Sequence, residues 1–393
     1  GCLIMPLPSD DADASDNSCC PAIFLSAPAS GQGKTTITAA LARLLKRRGK
    51  RVRVFKFGPD YLDPQILALA SGEPVVQLDL WMAGEEWCRQ QIYNAAISIM
   101  DDDSPTKSRD GENGGVILVE GAMGLYDGTP SSADLAAKFG IPVVLVMDVR
   151  AMAQTAAAIA VGLKNYRADF DMIGMIANKC GSNYHGKLVR EALPADLPMW
   201  AALKREENVE LPERHLGLVQ PLEDGKEVLM NERIDAGADM LEASGILDQI
   251  RQLEPVAFQS QHIEPPPSKA LEGVTVAIAR DTAFSFAYAA NIMLLQDMGA
   301  SIVYFSPTHD TTIPPEATAL WLPGGYPELH AKALSENSRM ISSMRRFHEN
   351  DNPILAECGG FLYCMETLVD LHGTEWTMSS LMPGKGAMKN KAG

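Results

Sequence analysis

Ala27-Pro28-Ala29-Ser30-Gly31-Gln32-Gly33-Lys34-Thr35-Thr36 follows an apolar run, Ala22-Ile23-Phe24-Leu25, and precedes an amphipathic segment from Ile37 to Arg48. That order is strand, glycine loop, helix. Gly31 and Gly33 let backbone N–H groups approach phosphate oxygens, and the positive end of the following helix faces the same oxygens. Ser30, Gly31, Gln32, Gly33, Lys34, Thr35 and Thr36 are therefore read as the nucleotide-binding set. Lys34 is expected to reach the β- and γ-phosphates of ATP, and the Thr35 hydroxyl to complete a Mg²⁺ shell. Pro28 stands where the G-x-x-x-x-G-K-[ST] pattern has its first glycine.

Downstream, Arg51-Val52-Arg53-Val54-Phe55 alternates as a strand does and runs into Lys56-Phe57-Gly58-Pro59-Asp60-Tyr61-Leu62-Asp63-Pro64. Asp60 and Asp63 fall at the strand's C-terminal end, where ligands bind in an open α/β sheet. They are expected to hold Mg²⁺ or to position a polar substrate; a turn held by Asp side chains is the alternative. The β-forming run Val116-Ile117-Leu118-Val119 delivers Glu120 to the same edge, followed by Gly121-Ala122-Met123-Gly124-Leu125-Tyr126-Asp127-Gly128. Glu120 belongs near the metal, unless it is a capping or structural glutamate. Asp127 sits in a glycine-flanked loop. Thr35, Asp60 and Glu120 make up the expected metal shell.

Further strands are expected over 142–148 and 172–177. At the end of the latter, Asn178 is open to two readings: its amide reads an adenine ring, or it closes an ordinary turn. Repeated strand–helix alternation over 21–250 implies a doubly wound, mostly parallel α/β sheet. Residues 1–20, polar and acidic, read as disordered, and 101–115 as an inserted surface loop. His215, alone among apolar residues, reads as structural.

The chain has 393 residues, 46% of them hydrophobic, which suits two domains with substantial cores. A formal net charge of -16 argues against a nucleic-acid partner and for small-molecule ligands. No apolar run approaches the ~18 residues of a membrane span, and the start carries no signal-peptide pattern. Seven cysteines without metal spacing fit reduced thiols in a cytoplasmic protein. A start at Gly1 rather than Met is what a fragment or a processed chain would have.

Residues 251–271, with Pro265-Pro266-Pro267, read as a linker. A second α/β unit is expected over 272–393. Its strands fall at 274–280, 301–305 and 319–322, with a helix over 284–298. The third strand ends in Pro323-Gly324-Gly325-Tyr326-Pro327-Glu328, and Pro353-Ile354-Leu355-Ala356 runs into Glu357-Cys358-Gly359-Gly360. A cysteine at a sharp strand-to-helix turn is a nucleophile elbow, unless it is simply buried and inert. Gly324 and Gly325 are the expected oxyanion turn. A thiol nucleophile needs a histidine base, and His262, His309, His330, His348 and His372 lie in no recognisable catalytic context.

Taken together, the Gly58–Pro64 stretch, Leu78-Asp79-Leu80-Trp81-Met82, the Glu120–Gly128 stretch, Leu322–His330 and Glu357–Gly360 resemble the cobyrinic or hydrogenobyrinic acid a,c-diamide synthases of cobalamin biosynthesis. The resemblance runs from about residue 21 to the C-terminus. It implies a P-loop, dethiobiotin-synthetase-like amidoligase domain followed by a class I glutamine amidotransferase-like domain. It further implies that a corrinoid carboxylate is phosphorylated by MgATP and that ammonia from glutamine displaces the phosphate. Asp63, Tyr61, Leu62 and Asp127 would then orient the substrate carboxylate or steer ammonia, and Cys358 would form a glutamyl thioester. The family's glutaminase histidine lies in a C-terminal segment that this sequence does not reach, so impaired glutaminase activity in a truncated copy is expected. Two alternatives stand beside this reading, one within the same class of enzyme and one outside it. Cobyric acid synthases amidate other corrin side chains. A partitioning-type ATPase switch would carry a second lysine at the place of Ala29. A homodimer and the metallation of the corrin stay open.

Overall fold

The computed structural model describes residues 17–100, 114–214, 217–218, 220–221 and 226–388. The chain divides into two units, the first ending at Ile263 and the second beginning in the main at Glu264.

In the first unit the elements run β1 (Asn17–Ser26), α1 (Lys34–Arg47), β2 (Arg51–Phe57), α2 (Asp63–Ser71), β3 (Val76–Leu78), α3 (Glu85–Met100) and β4 (Gly115–Glu120). Next come α4 (Ser132–Phe139), β5 (Val143–Asp148), α5 (Thr155–Tyr166), β6 (Met172–Cys180), α6 (Asn183–Ala192) and β7 (Met199–Lys204). A short pair, β8 (Glu213–Arg214) and β9 (Gly217–Leu218), precedes α7 (Lys226–Ala243), α8 (Ile246–Arg251) and β10 (Pro255–Gln259). The strands order as β3-β2-β4-β1-β5-β6-β7, all parallel, with β10 added antiparallel to β1. Strands β4 and β5 are buried along their whole length, which is why they read as unbroken apolar runs rather than alternations. Helix α1 buries Ile37, Leu41, Leu44 and Leu45, spaced as one helical face, against that sheet.

Two boundaries differ from the sequence expectation. Residues 17–20 are not part of a disordered tail: Asn17 to Pro21 pair residue by residue with Gln259 to Pro255. For the same reason the 251–271 stretch is not wholly linker, since it carries the end of α8 and the whole of β10. Pairing between segments more than two hundred residues apart leaves no local periodicity to read. Residues 1–16, most of the 101–115 loop and His215 lie outside the described residues.

The second unit contains β11 (Thr275–Ala279), β12 (Phe284–Phe286), α9 (Ala289–Asp297), β13 (Ser301–Phe305), β14 (Ala319–Leu322) and β15 (Gly324–Gly325). After these come α10 (Ala331–Glu336), α11 (Ser338–Glu349), β16 (Ile354–Ala356), α12 (Gly359–Cys364) and a small sheet of β17 (Thr367–Val369), β18 (Glu375–Thr377) and β19 (Lys385–Ala387). Its parallel sheet orders as β13-β11-β14-β16. The helix expected over 284–298 starts only at Ala289. Phe284 and Phe286 instead pair with Gly325 and Gly324, and buried Phe284 packs on Tyr363 with ring centroids 5.5 Å apart.

Candidate active site

The glycine loop between β1 and α1 is pinned from the neighbouring strand ends. Gln32 Oε1 accepts the Asp148 N–H at 2.9 Å, and the Gln32 carbonyl accepts from Asn178 Nδ2 at 3.0 Å. Gly33 caps α1 in a left-handed conformation, φ 91°, and a Cβ there would fall 2.4 Å from Asn178 Nδ2. Glycine is required on both counts. Asn178 Oδ1 also accepts the Lys179 N–H, so this amide braces the loop. Ser30 and Gly31 form its exposed tip, and Thr36 lies half-buried in the first turn of α1.

Lys34, only 8% exposed, donates to the Met123 carbonyl at 2.7 Å. Burial lowers its pKa, Glu120 opposes that, and Lys56 adds to it. Met123 holds φ 51°, unusual for a side-chain-bearing residue. Asp127 Oδ2 accepts the Gly124 N–H at 3.1 Å, so Asp127 shapes the loop that presents the Met123 carbonyl.

The carboxylates expected from the sequence converge beside this lysine. Thr35 Oγ1 donates to Glu120 Oε1 at 3.0 Å. The same oxygen accepts from Lys56 Nζ at 2.7 Å, and Lys56 also donates to Asp63 Oδ2 at 2.6 Å and lies 3.8 Å from Asp60 Oδ2. Asp60 Oδ1 accepts the Leu62 and Asp63 N–H groups, and the Tyr61 carbonyl accepts from Gln65 Nε2, which fixes the turn into α2. Thr35, Lys56, Asp60, Asp63 and Glu120 thus form one connected cluster.

Lys56 is the residue that sequence reasoning missed. The signal was the period of β2: Val52, Val54 and Lys56 share the face that is buried. Burial alone would lower the Lys56 pKa, but Glu120, Asp63 and Asp60 overcome it and hold the ammonium well above the ordinary lysine range. Burial would raise Asp63, but Lys56 reverses this and holds it below the usual carboxylate value. Asp60 is raised, by burial and then by the charge of Asp63. Fully buried Glu120 is raised by burial, with Lys56 and Thr35 opposing.

The residues present fit a Mg²⁺ ion. Glu120 Oε2 is buried without a hydrogen-bond partner, as a carboxylate oxygen kept for a cation would be. Among the described residues no three His, Cys, Asp or Glu side chains form a metal cage. A nucleotide-bound Mg²⁺ does not need one, because one or two carboxylates suffice beside phosphates and water.

In the second unit, Cys358 occupies the turn from β16 to α12 with φ 48° and ψ -116°, and it is exposed. The positive φ and the exposure are what a nucleophile elbow requires, and the thiol is not buried. A Cβ on Gly324 would stand 3.2 Å from Cys358 Cβ and 3.4 Å from Sγ, and one on Gly359 would stand 3.0 Å from the Gly325 nitrogen. The Gly324-Gly325 turn therefore packs directly on the elbow. His309 Nδ1 engages Ser306 and Thr308, and His330 Nδ1 lies 3.5 Å from Thr282 Oγ1.

A phosphate loop backed by carboxylates, joined in one chain to a cysteine elbow, defines a glutamine amidotransferase-type ligase. Residues 23–219 match the CobQ/CobB/MinD/ParA nucleotide binding domain, and residues 275–392 the CobB/CobQ-like glutamine amidotransferase domain. The chain is 47% identical over 372 residues to a hydrogenobyrinate a,c-diamide synthase of Stutzerimonas stutzeri, covering 95% of this chain and 81% of that protein. A hydrogenobyrinate a,c-diamide synthase of Pseudomonas aeruginosa is 46% identical, covering 95% and 80%. A cobyrinate a,c-diamide synthase of Herminiimonas arsenicoxydans is also 46% identical, covering 94% and 79%. The chain belongs to the family of cobyrinate and hydrogenobyrinate a,c-diamide synthases. Among the described residues no helix is long and apolar enough to cross a membrane.

Proposed function

We propose that this protein converts the a and c carboxylates of cobyrinate or hydrogenobyrinate to amides, consuming ATP and taking nitrogen from glutamine or ammonia. Residues 30–36 wrap the triphosphate, and Lys34 leaves the Met123 carbonyl to neutralise the transferred phosphoryl group. Thr35, Asp60 and Glu120 would hold Mg²⁺, which would offset phosphate charge. The substrate carboxylate oxygen attacks the γ-phosphorus in line and ADP leaves, giving an acyl phosphate. Ammonia then attacks the acyl carbon and inorganic phosphate departs. Asp63, Tyr61 and Leu62 orient the reacting arm, and Asp127 keeps the Met123 loop in place. Asn178 serves the nucleotide by bracing the loop, its amide engaged by the Gln32 carbonyl and the Lys179 N–H.

In the second unit the Cys358 thiol attacks the glutamine carboxamide, the Gly324-Gly325 turn stabilises the oxyanion, and the thiol's proton goes to the nitrogen that leaves as ammonia when the thioester forms. Water then releases glutamate. The observation that carries the reading is the direct Thr35–Glu120 contact, which joins the phosphate loop to the acidic sheet edge. The test is incubation with ATP, Mg²⁺, cobyrinate or hydrogenobyrinate, and either glutamine or ammonium, with products read by mass. The reading requires a monoamide followed by a diamide. Amides beyond the second would favour cobyric acid synthase-type activity, and ATP turnover without any amide would contradict ligase chemistry.

A further inference from the structure

Trp81 is 89% exposed, although tryptophan is among the side chains most often covered in folded proteins. Its backbone is not loose. Asp79 Oδ1 accepts the N–H groups of both Trp81 and Met82 at 2.9 Å, and the Asp79 carbonyl accepts that of Ala83 at 3.0 Å. This turn is tied to the loop that carries the substrate-side residues. Gly58 N–H donates to the Leu78 carbonyl at 3.1 Å, and Gln77 Nε2 donates to the Asp60 carbonyl at 3.0 Å. Three residues past Leu78, the Trp81 Cα is at most about 11 Å from that anchor. In the order β3-β2-β4, Trp81 and Met82 follow β3, Asp60 to Asp63 follow β2, and Met123 follows β4. Met82 and Met123 are 46% and 49% exposed. Apolar side chains therefore stand on both sides of the acidic loop at the carboxyl edge of the sheet.

We propose that Trp81, with Met82 and Met123, is the surface against which the flat apolar face of the corrin macrocycle lies while one of its carboxylate arms reaches the Asp60–Asp63 loop. The proposal rests on the corrinoid reading above. The occupant follows from the chemistry at this edge. The cluster holds three carboxylates and commits Lys56 to them, so a polyanionic substrate gains little from charge there and needs apolar contact for its affinity. A rigid indole suits a planar ring, and two flexible thioethers suit its methyl-studded rim. Trp81 on this reading positions the macrocycle and takes no part in phosphoryl transfer.

The test compares the full chain with Trp81→Ala and Trp81→Phe, using cobyrinate and hydrogenobyrinate as probes. Corrinoid binding is measured by equilibrium dialysis, KM for corrinoid and for ATP by amidation with ammonium, and mass by sedimentation. Trp81→Ala should weaken corrinoid binding on the order of thirtyfold and raise its KM in step. The KM for ATP should stay within about twofold, and Trp81→Phe should retain most of the affinity. Unchanged corrinoid affinity in Trp81→Ala overturns the proposal while leaving the amidation reading intact. So does loss of a dimer at unchanged affinity, which would assign the indole to a second copy. A wild-type protein that binds neither corrinoid overturns both readings.

Discussion

Lys56 and Glu120 face one another in the register of β2 and β4, and Lys56 Nζ lies 2.7 Å from Glu120 Oε1. A cation in this position offsets the charge of three carboxylates that share one sheet edge. Replacing Lys56 with Met should therefore lower the unfolding free energy by about 3–5 kcal/mol, because buried carboxylates lose their counter-charge. Millimolar Mg²⁺ should restore part of the loss. Urea unfolding with and without Mg²⁺ measures both; a loss below about 1 kcal/mol would assign the lysine no structural role.

Glu120→Gln removes charge but keeps shape. Glutamine-supported and ammonium-supported amidation should fall together, on the order of a hundredfold or more, because phosphoryl charge is no longer offset. Steady-state rates over a Mg²⁺ titration test this. A variant within about threefold of the parent would move the metal to other ligands.

Cys358→Ser separates the two halves of the reaction. Whatever glutamine-supported rate the parent shows should drop to background, while the ammonium-supported rate stays within about twofold. Parallel loss of both would mean that the elbow matters to the ligase domain's integrity rather than to glutamine cleavage.

The pH dependence of stability is clearest at the start of α4. Asp134 and Ser131 form a reciprocal capping box, and Asp134 also pairs with Arg167 at 2.6 Å. The Ser131 N–H, and then Arg167, hold the Asp134 carboxyl below its usual value of 3.8. A carboxylate whose pKa is lowered by folding stabilises the protein above its unfolded pKa, and that contribution fades as pH falls through the folded value. Asp134→Ala should thus lose about 1 kcal/mol at pH 7, or roughly 2–4 °C in melting temperature. The gap between parent and variant should narrow below about pH 4. A gap independent of pH would point to packing instead of charge.

What could be read in the chain follows from how local each signal is. Lys34, Thr35, Asp60, Asp63 and Glu120 are polar residues at the ends of apolar strands, and strand ends of one parallel sheet share an edge. Their meeting follows from topology alone. Lys56 was hidden because Arg51-Val52-Arg53-Val54 leads the eye to a solvent-facing cation, although the alternation sets position 56 with the valines. Strand β10 was hidden because its partner, Asn17–Pro21, lies at the other end of the unit. The Phe284–Phe286 strand was mistaken for helix because its apolar pair answers to a glycine turn some forty residues on.

A substrate carboxylate activated as an acyl phosphate at the Lys34–Thr35–Glu120 edge must hand one of its oxygens to phosphate. Cobyrinate or hydrogenobyrinate labelled with heavy oxygen in its carboxylates, incubated with ATP, Mg²⁺ and ammonium, tests it most directly. The account predicts one labelled oxygen in the inorganic phosphate for each amide formed. Amide formation with unlabelled phosphate would contradict it.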